Sequence, residues 1–108
     1  MPYRVLLTQD AVNDLEELDR WIATNDSAER ADHVLDRISE IFRNLTELPE
    51  PGTYPKELSA LGIREFRAVF FKAYRIIYRV ERRTVYVYLI ADGRRDMQTL
   101  LIRRLLAD

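Results

Sequence analysis

Cysteine is absent from the 108 residues, and histidine occurs once, at His33. No disulfide framework, thiolate nucleophile or cysteine-built metal site is therefore available. A single imidazole does not furnish a histidine-ligated metal cluster either, so no metal and no cofactor is expected. No apolar run reaches the length that spans a bilayer. The opening Met1-Pro2-Tyr3-Arg4 passes directly into a short apolar stretch, unlike a secretory leader. These features point to a cytoplasmic protein without a membrane partner. Glycine is scarce, at three residues. None of the three falls in the two shortest connections described below, so their turn types cannot be read.

What is present fits one domain covering residues 1–108. The hydrophobic fraction is 47%, enough for a single core, and a chain of this size buries about 60–70% of its unfolded surface. The net charge of −1 conceals a division. Residues 1–62 carry 6 Lys/Arg against 13 Asp/Glu, a balance of −7, and residues 63–108 carry 11 against 5, a balance of +6. A basic half invites an acidic or polyanionic partner, or it simply attracts the acidic half of its own chain.

Periodicity supplies the element order. Tyr3 to Thr8 is short and β-prone, a first strand. Thr8 or Asp10 then caps a helix whose stripe is Ala11, Leu15, Leu18 and Ile22, with Trp21 at its edge. Asp14, Glu16, Glu17 and Asp19 read as the solvated face of that helix. Asp26 or Ser27 caps a second helix, whose apolar residues Ala31, Val34, Leu35, Ile38, Ile41, Phe42, Leu45 and Leu48 follow helical spacing up to Pro49. The two should form a hairpin. Residues 50–55 are a loop by composition, and 56–62 a short helical turn or loop. Alternation then predicts strands over 64–71, 74–81 and 84–90, joined by Lys72-Ala73 and Arg82-Arg83, an antiparallel meander. A last helix over 95–106 carries Met97, Leu100, Leu101 and Leu105.

The fold class is therefore α+β, in the order β-α-α-β-β-β-α. The helical hairpin should cover one face of the antiparallel sheet and leave the other partly open. In the middle strand, Tyr74, Ile76, Tyr78 and Val80 share one face, the expected core side. Arg75, Ile77 and Arg79 share the other, where two arginine forks have a common direction for carboxylate or phosphate.

This order, with Tyr3-Arg4-Val5-Leu6-Leu7-Thr8, Ala11 and Asp14-Leu15 at the start, resembles the RelE/ParE toxins of type II toxin–antitoxin systems. The resemblance continues through Pro51-Gly52, Leu58, Gly62-Ile63-Arg64-Glu65-Phe66-Arg67 and Tyr74 to Val80. It is strongest at Ile90-Ala91-Asp92-Gly93-Arg94-Arg95-Asp96-Met97, Leu100 and Arg104-Leu105. Such toxins are silenced by a small cognate antitoxin. RelE-like members cut mRNA in the ribosome, and ParE-like members block DNA gyrase. Fold alone does not choose between them.

RNA cleavage needs a group that helps the 2′-hydroxyl attack, positive charge at the phosphate, and an acid for the leaving oxygen. By resemblance, Arg75 and Arg95 stand at the charge-stabilising positions. Arg67 replaces one strand lysine of the nucleases, Val69 stands where a second would be, and Leu101 takes the place of their final-helix tyrosine. If the chain is a nuclease, Arg67, Arg75 and Arg95 are its catalytic candidates. Arginine exchanges protons poorly. Lys56 precedes the strand, His33 reads as structural or surface, and Tyr78 and Tyr86 fit packing better.

The arginine- and leucine-bearing ending, Arg94-Arg95-Asp96-Met97, Leu100 and Arg103-Arg104-Leu105, resembles the C-terminal helix of ParE proteins. The reading therefore leans towards a non-catalytic gyrase inhibitor. A ribosome-dependent mRNA endonuclease and a non-toxic antitoxin-binding module stay open as alternatives. Arg64, Arg67, Arg75, Arg79, Arg94, Arg95, Arg103 and Arg104 are the candidates for binding target or antitoxin. The antitoxin should be a segment that folds on this surface and sets acidic residues over Arg75, Arg79, Arg94 and Arg95. Sequence-specific DNA binding by the toxin alone is not expected. Arg82-Arg83 reads as a solvated turn, and Arg103-Arg104 also suits the C-terminal end of a helix.

Overall fold

The computed structural model describes residues 2–49 and 52–106, so Glu50 and Pro51 of the predicted loop lie outside the described residues. Strand β1 (Arg4–Leu7) leads into helix α1 (Gln9–Asn25), and α2 (Ala28–Glu47) follows after two residues. The caps are those the sequence offers: Thr8 Oγ1 accepts the Ala11 N–H at 3.1 Å, and Ser27 Oγ accepts the Arg30 N–H at 3.0 Å. A single helical turn, α3 (Lys56–Ser59), precedes β2 (Arg67–Phe71), β3 (Tyr74–Glu81) and β4 (Thr84–Asp92). The chain ends in α4 (Met97–Leu101), which widens into a π-helical turn over Ile102–Leu106.

The sheet runs in the order β1-β4-β3-β2. The meander β2-β3-β4 is antiparallel, as alternation predicts. The first strand joins β4 in parallel, from Arg4 opposite Thr84 to Leu7 opposite Val87, so the sheet as a whole is mixed. Both hairpin turns place a basic residue in the left-handed region, Lys72 at φ 55° and Arg82 at φ 57°. Glycine or asparagine adopts that conformation at lower cost.

The helical hairpin packs on one sheet face. Ala11 and Ile22 of α1 and Ala31, Val34, Ile38 and Leu45 of α2 meet Ile76, Tyr78, Val85, Val87 and Ile90. The expectation that the other face stands partly open is corrected by the structure. Ile77, Leu89 and Ala91 form an apolar row there, covered by Leu58 of α3, Phe66, and Met97 and Leu101 of α4. Leu58, Ile77, Leu89 and Leu101 are at most 1% exposed. Each contributes about 1.5–3 kcal/mol when withdrawn from water, which an open face would forfeit.

A register shift between Ile77 and Tyr78 pairs Ile77 with Leu89 but Tyr78 with Val87, which makes Tyr88 an extra residue. Tyr88 and Leu89 therefore both join the second cluster, while Val87 and Ile90 stay in the first. No helix is long and apolar enough to cross a membrane among the described residues.

Candidate functional site

A cleft of about 480 Å³ opens where the β2–β3 turn meets the end of β4. Tyr54, Lys56, Phe70, Lys72, Arg75 and Arg94 are among its lining residues. Arg75 is held in its wall by strand β3. The stem of Arg75 lies against Gly93, where an added Cβ would stand 2.8 Å from Cδ and 3.2 Å from the Ala73 carbonyl. Its guanidinium meets Glu57 of α3 in a two-pronged pair, Nη1–Oε2 2.9 Å and Nη2–Oε1 3.0 Å. Both side chains are nearly buried, at 9% and 14% exposure. These hydrogen bonds hold the Glu57 carboxyl below its usual range, against the opposing effect of burial. Arg75 is thus a neutralised anchor for α3, which leaves its Nε without a partner.

Arg94, exposed at the cleft rim, is also paired. Its Nε donates to Asp92 Oδ1 at 2.9 Å, and these bonds lower the Asp92 pKa. Arg104 is committed more deeply. It donates to both carboxylate oxygens of Asp14, at 2.8 and 3.0 Å, and to the Tyr88 carbonyl at 2.9 Å. The Asp14 hydrogen bonds raise its pKa, so it stays charged. Arg104 therefore ties the last helix to α1, its charge met within the chain, and Asp14 is no part of a solvated helix face.

The remaining candidates separate. Arg95 is exposed beside Trp21, Leu18 and Tyr74 in a second groove of about 390 Å³ between α1 and β4. Arg103 is exposed on the final helix. Arg79 does share the sheet face of Arg75, but Ile77 and its cover lie between them, so the two form no common surface. Arg79 groups instead with Arg64 and Arg67 at the far end of the sheet. Arg67 donates to the Gly52 carbonyl and the Tyr54 hydroxyl, both at 3.2 Å.

The positions that matter for nuclease chemistry are equally instructive. Val69 packs towards the helical hairpin, and Leu101 is 0% exposed in the second core, so neither faces the cleft. Tyr78 is fully buried, its hydroxyl accepting the Gly52 N–H at 3.1 Å. Tyr86 is half-buried in β4, Lys56 is exposed at the cleft, and His33 is exposed on α2. Among the described residues, no group of three or more carboxylates and imidazoles is arranged to hold a metal.

Sequence reasoning missed the three carboxylates that neutralise the arginines. For Asp14 a signal existed. It stands three residues after Ala11 and four before Leu18, which places it on the buried side of α1.

A family model described as the ParE toxin of type II toxin–antitoxin systems, parDE, matches residues 5–97. The chain belongs to that family. It is a toxin of the ParE/RelE kind. It is 29% identical to Toxin ParE3 of Caulobacter vibrioides over 98 residues, which covers 91% of this chain and 94% of that protein. Its fold is similar to a chain of the chromosomal ParDE toxin–antitoxin system from P. aeruginosa, with TM-score 0.69 and 16% identity. That alignment covers 83% of this chain and 95% of the other. It is similar also to a chain of the toxin–antitoxin complex RelBE2 from Mycobacterium tuberculosis, with TM-score 0.62 and 22% identity, over 85% of this chain and 99% of that one. The ParE toxins thus share this fold with a RelBE-type complex, and the cleft must decide what the fold is used for.

Proposed function

We propose that this ParE-family chain arrests growth by binding DNA gyrase, without chemistry of its own, and that a cognate antitoxin silences it in the cytoplasm. The observation that carries the reading is the Arg75–Glu57 pair. A nuclease needs its strand arginine free to meet a crowded phosphate, whereas here that guanidinium is already met by a carboxylate through two hydrogen bonds. Leu101 and Val69, at the places of expected proton-transfer groups, point into the two cores. The antitoxin partner is supported by the relatives, whose solved structures are of toxin–antitoxin systems.

The ribosome-dependent nuclease remains the second reading because Lys56 and Lys72 bring two further cations to the same cleft. Expression of the chain alone in a bacterium tests both. The wild type should stop growth. The double variant Arg75→Met/Glu57→Leu removes both halves of the pair and should stop growth equally. Loss of arrest by a folded double variant would move the function to the ribosome. Unchanged growth with the wild type would leave only an antitoxin-binding module.

A further inference from the structure

Eight arginines of this chain fall into two contrasting groups. Arg75, Arg94 and Arg104 are neutralised by Glu57, Asp92 and Asp14, and Arg37 by Glu40. Arg64, Arg67, Arg79 and Arg82 are not. Among the described residues, none of the four has a carboxylate within ion-pair distance. These four line one open concavity of about 450 Å³ at the end of the sheet away from the Arg75 cleft, together with Tyr3, Glu65 and Val80. Four arginines against one glutamate leave three positive charges facing one another.

Two features show that this charge is positioned. The Arg67 guanidinium lies 4.8 Å above the Tyr54 ring and that of Arg64 lies 5.9 Å from it, so one aromatic ring orients both forks. Arg82 occupies the left-handed region, φ 57°, at the tip of its hairpin. The tight turn demands this backbone conformation, as it does at Lys72 in the other hairpin, and here it sets a long charged side chain at the rim of the concavity.

We propose that this concavity binds the phosphodiester backbone of a nucleic acid, independently of base sequence and of the gyrase reading above. A protein partner that folds on binding needs apolar anchors. The large exposed side chains Trp21 and Phe70, 61% and 56% exposed, lie elsewhere, and the Tyr54 ring beside the concavity is already faced by Arg64 and Arg67. The concavity offers a lining dominated by arginine forks, which match phosphate oxygens in pairs. Binding of this kind is electrostatic and driven by counterion release.

The test uses the purified full chain with fluorescent duplex DNA in one arm and single-stranded RNA in the other, with polyglutamate as competitor control. With three to four phosphate contacts, affinity should fall about 40–150-fold between about 50 and about 200 mM salt if duplex DNA is the ligand, and about 20–50-fold if single-stranded RNA is. Arg64→Ala and Arg79→Ala should each lower the salt slope by about one, whereas Arg103→Ala should not. Arg82→Gly guards against misfolding as the cause. It relieves the strained turn, so it should weaken binding while raising or preserving the melting temperature. The arm that binds more tightly identifies the nucleic acid. No salt-dependent binding in either arm would overturn the proposal. Binding indifferent to Arg64, Arg79 and Arg82 would do the same, as would tighter binding of polyglutamate than of both nucleic acids.

Discussion

Asp14 and Arg104, near opposite ends of the chain, meet through two hydrogen bonds of 2.8 and 3.0 Å where β1 stops short of its neighbour. The last bond from the β1 side runs from the Thr8 N–H to the Val87 carbonyl. Beyond it, the edge of β4 is completed by side chains. Asp14 accepts the Ile90 N–H at 3.0 Å, and Arg104 donates to the Tyr88 carbonyl at 2.9 Å. The pair does the work of one further residue of strand. It also fixes the C-terminal helix against α1.

Asp14→Asn should accordingly destabilise the protein by about 3 kcal/mol, because it removes the two-pronged charge partner of a mostly buried guanidinium and leaves only the longer 3.7 Å contact with Asp10. The melting temperature should fall by about 10–20 °C. Arg104→Met alone should cost less, and the double variant less than the sum. A double-mutant cycle by urea unfolding checks this, with a coupling above about 1 kcal/mol expected. A coupling of zero would mean that the helix is held by its leucines alone.

Glu57 gives the fold a pH dependence of definite sign. Its carboxyl is depressed below the ordinary 4.5 by Arg75. Its contribution is therefore fully present above about pH 4.5 and is lost as pH falls through the depressed value. Melting curves between about pH 3 and 7 should show stability dropping on the acid side, and Glu57→Gln should flatten that drop. An identical acid profile in the variant would show that the pair contributes nothing to folding.

Two glycines are held by close approach rather than by turn conformation. A Cβ at Gly52 would stand 2.6 Å from the Tyr78 hydroxyl and 2.8 Å from the Ala68 carbonyl oxygen. Thr53 bridges to Ala68 at the same place, which closes part of the β2 edge. Gly52→Ala should cost about 1–3 kcal/mol. Gly93→Ala should cost less, since the Arg75 stem is able to give way, but it should disturb the Arg75–Glu57 pair. Unfolding free energies of both variants test the ranking.

The elements were legible in the sequence because their signals are local. Thr8 and Ser27 cap their helices, Ala11 and Ile22 lie buried on one stripe, and alternation from Tyr74 to Val80 predicts the two faces of β3. What stayed hidden was non-local. The partner of β1 depends on the path of the whole hairpin, and the extra residue at Tyr88 interrupts no visible pattern in Thr84–Asp92. The cover on the second face needed Leu58 and Leu101 to be seen together, although the apolar character of both was plain. For the site, residue type identified the arginines, but only geometry tells a neutralised one such as Arg75 from one such as Arg79.

Trp21 and Arg95 flank one groove while contributing little to the core, so they separate partner binding from stability. Trp21→Ala and Arg95→Ala should change unfolding free energy by no more than about 0.5 kcal/mol each, yet relieve growth arrest or weaken antitoxin binding. Growth curves with a parallel melting measurement decide the matter. Undiminished arrest and unchanged antitoxin affinity in both would remove this groove from the functional surface.

The most direct measurement is supercoiling by purified DNA gyrase as this protein is titrated in. Inhibition by the wild type and by Arg75→Met/Glu57→Leu alike, reversed when antitoxin is added, is the expected result. Absence of inhibition at large excess, with mRNA cut in a translating extract by the wild type but not by the double variant, would contradict it.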